Sequence, residues 1–155
     1  MSAVRRHAPQ PDAPNRYRDN ALGYEAVKLL PGEYFSTDRD IVLVTVLGSC
    51  VAACIRDRTS GIGGMNHLML PHGDSSDPMS RSARYGAFAM EVLINQLLRM
   101  GARREALEAK IFGGGAVIPG LTALNVGESN SAFVREYLLN ERITVVGHDL
   151  NESDA

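Results

Sequence analysis

The chain has 155 residues, 45% of them hydrophobic, enough for one domain with a real core and no disulfide or metal staple. A net charge of -2, a pI near 6.1 and 16 scattered lysines and arginines argue against a nucleic-acid binder. No apolar run is long enough to span a bilayer, and the polar start lacks the apolar core of a signal peptide, so the cytosol is the expected compartment.

Residues 1–20 carry Pro9, Pro11 and Pro14 with few apolar groups and read as a disordered leader, which leaves 21–155 as the folded domain. A first extended segment is expected over residues 25–30, stopped by Pro31-Gly32. Residues 41–47 are nearly all apolar, as in an interior strand covered on both faces. The run then meets Gly48-Ser49-Cys50, and residues 51–55 resume as a strand. Residues 56–61 read as a hairpin loop into a further strand, Gly63-Gly64-Met65-Asn66-His67-Leu68-Met69-Leu70.

Residues 71–81 are a polar loop. Tyr85, Phe88, Ala89, Val92, Leu93, Leu97 and Met100 then recur at three and four residues, predicting an amphipathic helix over 84–100 that stops at Gly101. Residues 107–112 predict a strand closed by Gly113-Gly114-Gly115, residues 128–140 a second helix, and residues 143–146 a last strand. Strands outnumber helices and the early ones are hairpin-linked, so the class is α+β rather than a doubly wound sheet.

Chemistry concentrates at Cys50 and His67. A thiol on a Gly-Ser turn is held where the backbone bends and where amides of Gly48 and Ser49 can face an oxyanion. An imidazole on a neighbouring strand supplies the base, and together they suit a cysteine amidohydrolase. A thiol serving as nucleophile there is expected to have a low pKa, sustained by an imidazolium. The alternative is that Cys50 is a small buried hydrophobe and His67 a core histidine bonded to a carbonyl. Cys54 lacks the turn and reads as core. In a reducing compartment the two thiols stay free, and on one strand they sit too far apart to bridge.

The spacing Cys50-x3-Cys54-x12-His67-x4-His72 also satisfies the literal pattern of a zinc finger. Pro71 between the histidines forbids the helix that a finger needs, so no metal is expected, and nothing in the inventory calls for a cofactor. The glycines at 113–115 lack a phosphate-loop ending and instead suit close passage of one backbone by another, with Gly113 and Gly114 lining the Cys50 pocket.

At these residues the chain resembles the CheD family, the chemoreceptor glutamine deamidases of bacterial chemotaxis. The motifs are Leu47-Gly48-Ser49-Cys50-Val51, Asn66-His67-Leu68-Met69-Leu70-Pro71, Lys110-Ile111-Phe112-Gly113-Gly114 and Asn125-Val126-Gly127-Glu128-Ser129-Asn130, in family order over residues 25–149. The resemblance implies a three-layer α/β/β sandwich, Cys50 as nucleophile and His67 as base. It also implies receptor glutamines as substrate and, in many systems, a CheC-type phosphatase as partner. A non-catalytic adaptor that binds such a phosphatase or the receptor is the rival of a different class.

Two departures stand out. The family's third catalytic member is a threonine six residues before the cysteine, where this chain has Val44. Thr45 lies one residue later, and strand alternation would turn it to the opposite face. Either a local irregularity brings Thr45 round, or a backbone carbonyl orients His67. Family members also usually continue past Asp149 into a further strand pair, whereas the sequence here ends at Ala155, so an uncovered sheet edge is expected.

Overall fold

A computed structural model describes residues 15–71, 77, 79–115 and 125–150. Among these, the chain forms β1 (Arg16–Asp19), β2 (Tyr24–Lys28), β3 (Tyr34–Thr37), β4 (Ile41–Val44), β5 (Val51–Asp57) and β6 (Gly63–Asn66). Then follow α1 (Arg81–Met100), a 3-10 turn (Arg104–Ala106), β7 (Leu107–Gly113), α2 (Asn125–Asn140) and β8 (Thr144–Leu150). The strands lie in two sheets, β1-β2-β4 and β3-β6-β5-β7-β8, and the α+β class holds.

Alternation along β5 explains how the core divides. Val51, Ala53 and Ile55 face one way and pack with Leu107, Ala109 and Ile111 of β7 against Met90, Leu93, Ile94 and Leu97 of α1 and Val134 and Leu138 of α2. Ala52 faces the other way and packs with Val27, Leu29, Phe35 and Met65, with Leu43, Leu47 and Cys54 at the margin of that cluster. Strand β5 is therefore covered on both faces, and it carries Cys50 at its entrance.

Helix α1 begins at Arg81, earlier than its apolar stripe, because the Ser80 hydroxyl caps it by accepting from the Ala83 amide at 3.0 Å. It ends as expected at Gly101, whose φ of 112° turns its amide back to the carbonyls of Leu97 and Leu98.

Several expectations are corrected. Residues 16–19, read as part of a disordered leader, form β1 and pair with β2, Arg16 opposite Val27; residues 1–14 lie outside the described residues. Strand β3 had no apolar alternation to announce it, and its Ser36 is buried. The apolar run at 41–47 is not an interior strand: β4 stops at Val44 and lies at the edge of its sheet, in parallel register with β2 alone. Its four residues are only half-buried, and Val46 beyond it is 75% exposed. Strand β6 ends at Asn66, so His67 stands just outside the ladder.

Candidate active site

The turn at 48–50 joins β4 to β5, and all three of its carbonyls are held from one side. The Gly48 carbonyl accepts from the Gly115 amide at 2.9 Å and the Cys50 carbonyl from the Gly114 amide at 2.9 Å. The Ser49 carbonyl accepts from Nδ2 of Asn130 on α2, also at 2.9 Å. No described residue accepts from the amides of Gly48 and Ser49, the two donors the sequence offered to an oxyanion.

The glycines at 113–115 do serve a close backbone approach. A Cβ on Gly113 would stand 2.2 Å from the Cys50 carbonyl oxygen, and its φ of 108° is itself a glycine conformation. Gly113 and Gly114 thus support the turn. Gly114 is not an oxyanion donor, since its amide is already engaged by Cys50.

His67 is 4% exposed, and its ring is fixed at Nδ1. Thr45 Oγ1 lies 2.8 Å from Nδ1 and 2.8 Å from the Leu29 carbonyl oxygen. A carbonyl has no proton to give, so the single threonine proton goes to Leu29. Oγ1 must then accept from Nδ1–H. This arrangement leaves neutral Nε2 without a proton, and Nε2 is buried with no hydrogen-bond partner among the described residues. The expectation that alternation turns Thr45 away is overturned. Regular strand geometry ends at Val44, so the period of two does not reach Thr45.

Strand register relates the thiol to the imidazole. Val51 and Leu68 form an isolated antiparallel bridge, exchanging hydrogen bonds of 2.9 and 2.8 Å. By that register Cys50 and His67 stand at diagonal positions of the pair, each next to a bridge residue that packs into the helix-side cluster.

Electrostatics departs from the expected thiolate–imidazolium pair. Burial pushes the Cys50 thiol above its ordinary 9.0, with its own backbone amide pulling the other way. Burial also holds His67 below its ordinary 6.5, against hydrogen bonding at the Leu29 carbonyl and the charge of Glu33. Both shifts favour the neutral forms, the opposite direction to the thiolate–imidazolium pair expected from sequence. Cys54 is pushed further, to about 11, mainly by burial, and packs at the margin of the second core cluster as anticipated.

Sequence reasoning missed three parts of the site: the Leu29 carbonyl, the bridging side chain of Asn130, and Asn66. Asn130 stands in one of the motifs quoted above, but nothing local marks its side chain as reaching Ser49. Asn66 is buried beside His67, its Oδ1 accepting from the Ala53 amide at 3.0 Å. Among the described residues no three His, Cys, Asp or Glu side chains converge as metal ligands would; His72 lies outside them.

Residues 69–155 match the family model described as CheD chemotactic sensory transduction. The chain is 66% identical over 143 residues to the probable chemoreceptor glutamine deamidase CheD of Methylobacillus flagellatus, covering 90% of this chain and 70% of the relative. The protein of the same name from Thiobacillus denitrificans is 63% identical over 142 residues, with the same two coverages. That from Paraburkholderia xenovorans is 59% identical over 145 residues, 92% of this chain and 58% of the relative.

Proposed function

The chain belongs to the CheD family, and we propose that it is a protein-glutamine deamidase that converts chemoreceptor glutamine side chains to glutamate through Cys50 and His67. The observation that carries the reading is the Leu29–Thr45–His67 chain, which fixes the ring at Nδ1 and leaves Nε2 without a hydrogen-bond partner among the described residues.

In this reading the Cys50 sulfur attacks the side-chain amide carbon while its proton passes to Nε2 of His67. The carbonyl oxygen becomes an oxyanion facing the free amides of the turn, Ser49 foremost. As the carbon–nitrogen bond breaks, the imidazolium returns that proton to the departing nitrogen, and ammonia leaves a thioester on Cys50. A water then attacks the thioester carbon, giving its proton to His67. Collapse expels the sulfur, which recovers the proton, and glutamate is released. Each product side chain carries one more negative charge than its substrate.

The two core clusters on opposite faces of β5 support a three-layer α/β/β sandwich as the frame. Helices lie on one side of the larger sheet in that arrangement, and the smaller sheet lies on the other. A CheC-type phosphatase is the further partner this reading carries, to be sought by copurification.

Incubation with a chemoreceptor cytoplasmic fragment tests the function. Particular glutamines should each gain about one mass unit with release of one ammonia, the balance of amide hydrolysis. Turnover of free glutamine with no change in receptor mass would point to a small-amide hydrolase instead. Receptor binding without any mass change would favour the non-catalytic adaptor.

A further inference from the structure

Strand β5 and the segment through Leu70 keep one antiparallel register along their whole length. Cys54 is opposite Met65, Ile55 is opposite Gly64, and Val51 is opposite Leu68. In such a ladder the residue pairs that exchange hydrogen bonds recur every second residue. Val51 and Leu68 are one such pair. The next towards the turn is Ser49 with Leu70, where the Leu70 amide would donate to the Ser49 carbonyl and the Ser49 amide to the Leu70 carbonyl.

That pair does not close, because a side chain stands between its members. The Leu70 amide donates to Asn130 Oδ1 at 3.1 Å, and Asn130 Nδ2 donates to the Ser49 carbonyl at 2.9 Å. Asn130 is 1% exposed, so its amide spends both ends inside the protein and has no water to exchange with. One ladder bond is thereby replaced by two bonds through an interposed amide. Its companion is left open, with the Ser49 N–H freed from the Leu70 carbonyl.

We propose that Asn130 is a positioning residue: its amide is a spacer wedged into the ladder between the nucleophile turn and the His67 segment. The wedge keeps the Ser49 amide available as an oxyanion donor and holds Cys50 at its working distance from His67. The other flank of the Val51–Leu68 bridge is opened in the same manner. There the Ala53 amide donates to the side-chain Oδ1 of Asn66, at the position where the register calls for the Asn66 backbone carbonyl. Two buried asparagines thus spread the ladder on either side of one bridge, and the catalytic pair lies across it.

The inference rests on the deamidase reading, and Asn130→Asp tests it with little change in shape. An ionised carboxylate accepts from Leu70 but cannot donate to Ser49, whose carbonyl it repels. A protonated carboxyl can do both. At pH 8 the variant should lose about a hundredfold in kcat, the scale of a lost oxyanion donor, with KM little changed. As pH falls through the titration of the carboxyl, the ratio of variant to wild-type rate should rise, since the His67 limb is common to both. Asn130→Ala should show the low rate with no such recovery, while iodoacetamide still alkylates Cys50, a reaction that uses no oxyanion donor. A ratio flat with pH, a loss confined to KM, or an Asn130→Asp protein unfolded at every pH would overturn the proposal and leave Asn130 a packing residue. Absence of activity in the wild type would instead sink the deamidase reading itself.

Discussion

Thr45 carries the sharpest single-residue expectation. Its hydroxyl lies 2.8 Å from both the Leu29 carbonyl oxygen and His67 Nδ1, so it satisfies the one and selects the Nδ1–H tautomer of the other. Thr45→Val keeps the shape and removes both bonds, and should lower kcat by about a hundredfold, as loss of general-base orientation does. Thr45→Ser should recover most of the rate. Ammonia release from a receptor fragment checks the pair, and equal rates for Val and Ser would remove Thr45 from the mechanism. The titration behaviour follows from the same burial. His67 must be neutral to accept a proton, and its pKa is held below 6.5, so the rate should rise with pH through an inflection below that value and then level. An alkaline change from the thiol should come only above 9.0. Alkylation of Cys50 should likewise climb with pH, ahead of Cys54, whose thiol is pushed up to about 11. His67→Ala should abolish turnover yet leave that alkylation curve nearly in place, because no imidazolium sustains a thiolate at rest. Fast alkylation of Cys50 at pH 6, lost in His67→Ala, would reinstate the ion pair.

Between elements, two contacts decide whether the site is assembled. Gly113 ends β7 where that strand runs against the nucleophile turn. Gly113→Ala would combine a left-handed φ with a Cβ 2.2 Å from backbone oxygen, so the turn itself must shift. A cost of at least about 2 kcal/mol is expected, read as a lower urea midpoint, together with loss of deamidation. An Ala variant of full stability and rate would show that the approach is not required. Asp57 performs the second joining at the far end of β5. Its carboxylate accepts from Thr59 and Ser60 in the hairpin turn and, at 2.7 Å, from the Arg103 amide between α1 and β7. These bonds, with Arg103 foremost, hold its pKa at about 2 against an ordinary 3.8. The folded-state pKa is depressed, so the stabilisation is complete above pH 4 and is lost as pH falls towards 2. Asp57→Asn should lower the thermal midpoint at pH 7 and flatten its decline between pH 5 and 2. Parallel melting curves for the two proteins over that range would rule the linkage out.

For the molecule as a whole, the candidate site lies where β5 begins, and Val46, Met69 and Leu30, each within two residues of Thr45, His67 or Leu29, are exposed. Such a rim suits a side chain presented by another protein better than a small molecule enclosed on all sides. Free glutamine should accordingly turn over far more slowly than a receptor glutamine at equal concentration, measured by ammonia release. Comparable rates would mean that the rim contributes nothing to recognition. Among the described residues, strand β8 lies at the edge of its sheet, with Val146 49% exposed.

Local pattern already contained the α+β class, both helices, the β5–β6 hairpin, and the turn that carries Cys50 into β5. Each rests on periodicity or turn chemistry that neighbouring residues impose on one another. The family motifs added the expected reaction. What only the tertiary structure decided depends on residues far apart in the chain. Thr45 meets His67 because β4 stops one residue before the alternation rule would have turned it away. Strand β1 forms in a polar stretch because β2 offers it an edge, with Arg16 paired to Glu25 across the two strands. Asn130 reaches Ser49 across 81 residues. The shifts at Cys50 and His67 come chiefly from burial, which no single segment encodes, since desolvation is produced by everything packed around a group rather than by its neighbours in sequence.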